Sequence, residues 1–101
     1  MRIINEKTVE TLTKEFLAAN AISVEVGTNG FKGGDSGHGS RTYFKLKDLG
    51  GTDLEMRIRP AYVGDIITQE VELIFEGDSE LMTFIKALKF AVEVLELQAG
   101  E

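Results

Sequence analysis

Residues 5–26, NEKTVETLTKEFLAANAISVEV, contain the change of hydrophobic period on which the fold turns. Over residues 5–20, Val9, Leu12, Phe16 and Ala19 recur at spacings of three and four, the pattern of one helix face turned toward a core. Asn5 suits an N-cap, Glu6 lies where an acid favours the helix dipole, and Asn20 accepts the left-handed conformation at a helix end. Residues 2–4 leave room for a short strand ahead of it. From Ile22 the period drops to two: Ile22, Val24 and Val26 alternate with Ser23 and Glu25, which predicts a strand with one buried face.

Three further strands follow. Residues 41–47 place Phe44 and Leu46 on one face, and residues 53–59 place Leu54, Met56 and Ile58 on one face before Pro60 removes a ladder donor. Residues 66–76 turn Val71, Leu73 and Phe75 inward. Gly50 and Gly51 suit a tight hairpin between the second and third strands. Matching faces predicts Leu46 opposite Leu54, Phe44 opposite Met56, Met56 opposite Val71 and Leu54 opposite Leu73. That register sets Lys45 beside Glu55 and Arg57 beside Glu70.

Residues 79–99 predict a helix capped by Asp78 or Ser79 and stopped at Gly100. One stripe carries Leu81, Phe84, Ile85, Leu88, Ala91, Val92 and Leu95, and is expected to lie on the sheet with Phe84 and Leu88 buried. The opposite side carries Ala87, Phe90, Val94 and Leu97. One sheet cannot cover both stripes, so Phe90, Val94 and Leu97 are expected to form a homodimer interface. Cover from Phe16, Leu17 and residues 1–4 of the same chain is the rival.

With 17 acidic and 11 basic residues the net charge is −6, which repels phosphate backbones and argues against direct nucleic-acid binding. The chain has no cysteine, one histidine and no apolar run approaching the roughly 18 residues of a membrane span. No cofactor, structural zinc or membrane association is therefore expected, and a cytoplasmic location is the default. Metal binding would rest on Asp35 and His38 with Asp48 or Asp53, without the spacing of a calcium-binding helical loop.

Residues 27–40, GTNGFKGGDSGHGS, hold six glycines in fourteen positions and are the candidate functional surface. Loops of this length inside a small domain are commonly functional, and glycines let a backbone approach a ligand closely. The binding candidates are Phe31, Lys32, Asp35, Ser36, His38 and Ser40. His38, the only side chain titrating near neutrality, would with Asp35 and Ser36 or Ser40 supply the residue types of a hydrolase. Gly-Asp-Ser-Gly at 34–37 also surrounds the nucleophile of chymotrypsin-like proteases, but no histidine precedes Ser36 here. A phosphate loop is excluded because no lysine followed by serine or threonine closes the segment and a strand, not a helix, follows it.

The expected architecture is α+β in one domain, residues 1–101: an N-terminal helix, a four-stranded antiparallel meander sheet and a C-terminal helix, with the helices packed on one sheet face. The expected function is that of a small noncatalytic binding or regulatory protein whose glycine-rich loop engages a protein or small-molecule ligand. The alternatives are the hydrolase and an acidic decoy of nucleic acid presenting Glu70, Glu72, Glu76, Asp78 and Glu80.

Overall fold

The computed structural model describes residues 1–17, 21–34, 39–51, 53–64 and 66–100. In chain order the elements are β1 (Arg2–Ile4), β2 (Lys7–Val9), β3 (Leu12–Leu17), β4 (Ala21–Thr28), β5 (Thr42–Gly50), β6 (Leu54–Val63), β7 (Ile66–Phe75) and α1 (Asp78–Ala99). The strands form three antiparallel sheets, β1–β2, β3–β4–β5 and β6–β7. The α+β character holds; the N-terminal helix and the four-stranded meander do not.

Residues 2–17 form a hairpin and a third strand instead of a helix. Asn5 and Glu6 make the two-residue turn between β1 and β2, both left-handed at φ 46° and 68°. Such a turn matches the twist of flanking strands, although Asn-Gly is its usual sequence. Beyond it, Leu12, Lys14 and Phe16 lie opposite Val26, Val24 and Ile22 across the β3–β4 ladder. A spacing of four is even, so Leu12 and Phe16 share a face in a strand as they would in a helix. The long-range ladder to β4 decides between the two.

β5 follows β4 as far as Gly50, which lies opposite Ala21, and so takes the first glycine of the expected tight hairpin into the strand. Among the described residues β6 pairs with β7 and not with β5. Pro60 does not end β6: it pairs with Gln69 in a two-stranded ribbon, where both strands are edges and a missing donor is tolerated. The observed partners are Leu54 with Phe75, Met56 with Leu73, Ile58 with Val71 and Arg57 with Glu72, two residues away from the expected register. An even shift keeps every side chain on its expected face. Gly64, at φ 63°, opens the short connection from Val63 to Ile66 that fixes this register.

The core lies between β4 and α1. Ile22, Val24 and Val26 are wholly buried beneath Ala87, Ala91 and Val94, with Phe16, Leu46, Leu54, Phe90 and Leu95 around them. The helix therefore docks by the stripe containing Ala87 and Val94, and the expected core stripe is largely outside. Leu88 is 42% exposed, while Phe84 is half-buried and stacks on Phe75 at 4.4 Å. Large side chains already cover this sheet face, so the helix approaches closely only through its alanines. At its start Gly77 takes the cap position without a side-chain cap bond, and Asp78 and Glu80 supply acids to the first turn.

On the other face of β4, Arg2 straps the N-terminal hairpin to the sheet. Its guanidinium donates to both oxygens of Glu25, at 2.9 Å and 2.6 Å, and lies 4.7 Å from the centre of the Tyr43 ring. Thr11 Oγ1 donates to the same carboxylate at 2.6 Å. The hydrogen bonds from Arg2 and Thr11 hold the Glu25 carboxyl down to about 2, from an ordinary 4.5. Stability from this group is fully present above pH 4.5 and is lost as pH falls through about 2. Unfolding midpoints between those pH values should fall less steeply for Glu25→Gln than for the parent, and parallel curves would count against the strap.

Where residues 10 and 11 cross the sheet, a Cβ on Gly27 would overlap the Glu10 carbonyl oxygen and lie 2.9 Å from Thr11 Cα. Replacing a strand glycine by alanine ordinarily stabilises by about 0.5–1 kcal/mol. Here the sign is reversed: Gly27→Ala should cost about 1–3 kcal/mol in chemical denaturation, the usual penalty of overpacking.

Candidate functional site

The glycine-rich segment joins β4 to β5, and polar contacts close its base. Asn29 N–H donates to the Arg41 carbonyl at 3.2 Å, and Arg41 N–H donates to Asn29 Oδ1 at 2.7 Å. Arg41 Nη1 donates to the carbonyls of Gly39 at 3.0 Å and Ser40 at 3.3 Å. Farther out the backbone at Gly39 lies against Gly34 so closely that a Cβ would overlap the Gly34 carbonyl. Glycine is required there by contact, not by backbone conformation.

Thr28 ties this base to the helix. Its Oγ1 donates to the Arg41 carbonyl at 3.1 Å, lies 3.0 Å from Thr42 Oγ1 and accepts from Gly30 N–H at 3.2 Å. Its N–H donates to Gln98 Oε1 at 2.7 Å, and Gln98 Nε2 donates to the Glu10 carbonyl at 2.9 Å. One amide side chain thus joins the start of the segment, the β2–β3 link and the last turn of α1.

Between that turn and the segment lies a cleft of about 220 Å³. Thr28, Gly30, Phe31, Ser40 and Thr42 line one side, with Leu95, Glu96 and Ala99 of α1 on the other. Phe31 is 74% exposed at its edge. The last helical turn carries no basic side chain, and Gly100, left-handed at φ 84°, caps it through N–H bonds to the Glu96 and Leu97 carbonyls. Glu96 and the helix C-terminus therefore give this end of the cleft a negative bias.

Of the candidates named from sequence, Phe31 and Ser40 meet at the cleft and Lys32 is exposed next to Phe31. Asp35, Ser36 and His38 lie outside the described residues. Among the described residues no group of three or more His, Asp or Glu side chains is placed to hold a metal. Asp48 Oδ1 instead accepts the Gly50 N–H at 2.8 Å. No described helix is long and apolar enough to cross a membrane. Phe90 meets Phe16 edge-on at 6.1 Å, Val94 belongs to the core of its own chain, and Leu97 is exposed. In the acidic region, Glu70 and Glu72 stand opposite Arg59 and Arg57, and Arg57 also donates to Glu55 at 2.9 Å. Neighbouring cations thus offset part of that acidic surface.

Comparison of the chain with protein-family models, with curated proteins and with solved structures gives no match.

Sequence reasoning missed Thr28, Thr42, Leu95, Glu96 and Ala99. Two threonines at the two ends of a glycine-rich segment were the available signal, since only such flanking positions become cross-strand neighbours when the segment closes a hairpin. Gln98→Ala strips partners from the Thr28 N–H and the Glu10 carbonyl together, so a loss of about 1–3 kcal/mol is expected. Hydrogen exchange at the Thr28 amide should speed up by more than at Val24; equal acceleration at both would point to general destabilisation.

Proposed function

We propose that this chain is a noncatalytic binding module that receives a partner protein's side chain in the cleft beside Phe31. The supporting observation is the cleft itself, where an exposed aromatic ring, three hydroxyl-bearing residues and the end of a packed helix converge. Its size selects the occupant. Pockets for drug-sized ligands and cofactors hold roughly 300–1,000 Å³, so about 220 Å³ suits one inserted side chain. Leu95, Ala99 and Phe31 favour an apolar body, while Thr28, Ser40 and Thr42 offer hydrogen bonds to a polar tip. An exposed aromatic ring at the mouth is the type of residue that anchors protein interfaces.

The reading is tested by titrating isotopically labelled protein with N-acetyl amides of leucine, phenylalanine, tyrosine and lysine while following backbone NMR signals. Saturable shifts should centre on Gly30, Thr42 and Ala99. Phe31→Ala should weaken that binding by about 1 kcal/mol or more, with stability changed by less than about 0.5 kcal/mol because the ring is exposed. Absence of saturable shifts for all four probes, or shifts untouched by Phe31→Ala, would reject the cleft as the binding site.

A further inference from the structure

We infer that two copies of this chain associate by exchanging cover, the β6–β7 hairpin of each lying on the outer face of the other's α1. The chain exposes 7153 Å², whereas a compact monomer of its 11.1 kDa mass would expose roughly 5,700 Å². Its radius of gyration is 15.7 Å, against about 13 Å for a compact domain of this length. Two of the exposed apolar areas are complementary in kind.

The first is one face of the hairpin. Leu54 is half-buried in the core cluster at its base, Met56 is 40% exposed, and Ile58 and Val71, paired farther out, are 80% and 68% exposed. Beyond the Met56–Leu73 pair every described side chain of the hairpin is exposed. An isolated two-stranded ribbon is marginal in water and gains independent stability by packing against a helix. The second place is the outward stripe of α1: Leu81, Ile85, Leu88 and Val92, each at least partly open to solvent. A sheet face in need of a helix and a helix stripe in need of a sheet occur in the same chain.

Reciprocal exchange satisfies both and leaves neither over, because a twofold arrangement closes on itself where a one-way contact would propagate. The areas agree. These seven side chains expose roughly 700 Å² per copy, close to the roughly 800 Å² per partner of a standard stable interface. The contact uses the helix face opposite Ala87 and Val94, through side chains other than the Leu95, Glu96 and Ala99 that line the cleft beside Phe31, and so goes beyond the proposed binding function.

The test is light scattering across a wide concentration range, first on the parent, which should approach twice the chain mass. Ile58→Lys and Leu88→Glu should each raise the dissociation constant by roughly 100-fold or more, since each would bury a charge without a partner. Both positions are solvent-exposed in the single chain, and unchanged far-ultraviolet circular dichroism would verify that the fold is kept. Mixing the two variants should restore association: Ile58→Lys then meets Leu88→Glu at one contact while the other contact is native. A parent that stays monomeric at all concentrations overturns the inference, as does undiminished self-association of both variants. Failure of the mixture to associate also overturns it.

Discussion

Ala87 and Ala91 set the distance at which α1 crosses β4, and most of what the rest of the chain can do follows from that approach. Two short side chains allow the helix axis close to a strand whose Ile22, Val24 and Val26 are already covered. The close approach turns Leu81, Ile85, Leu88 and Val92 outward. It also carries the last turn of α1 to the base of the glycine-rich segment, where Gln98 meets Thr28. β4 is thus enclosed on all sides: β3 and β5 take its two edges, α1 one face, and the Arg2–Glu25 pair part of the other. Strands that lack such enclosure are the ones that project.

The elements legible in the sequence are those whose period admitted one reading. Ile22, Val24 and Val26 alternate unambiguously, and residues 79–99 are too long and too periodic to be anything but a helix. Residues 5–20 were ambiguous in a specific way. Leu12 and Phe16, four apart, satisfy both periods, and Glu6 in a left-handed turn hides a hairpin that a glycine would have announced. Pairing with β4 is a long-range property, invisible to any local window. The same limit applies to β5 and β6, whose separation depends on how far β5 follows β4. For α1 the sequence displayed two apolar stripes, and bulk favoured the wrong one, because closeness of approach and not hydrophobic mass decided which stripe docks.

The site divides along the same line. A glycine-rich segment with one aromatic is conspicuous in composition, so Phe31 and Ser40 were within reach of sequence reasoning. The other wall of the cleft was not, since it depends on which helical face turns inward and how far α1 runs along β4. Leu95 lies in the stripe expected to cover the sheet and Ala99 continues it, so the rotation of the docked helix is what turns them to the cleft. A cleft made by two elements distant in sequence is a consequence of packing, and it becomes readable only after the packing is known.

The hydrogen bonds of Gln98 have an implication for when the cleft comes into being during synthesis. Glu10 and Thr28 emerge from the ribosome long before the glutamine that joins them, and neither supplies the other's missing bond. A nascent chain can therefore lay down the β3–β4–β5 sheet with its glycine-rich segment in place and still have no cleft. Leu95, Glu96 and Ala99 complete the wall only once α1 has been made. Recognition through that wall is accordingly closed to any chain not yet extended through α1, however well its sheet has formed.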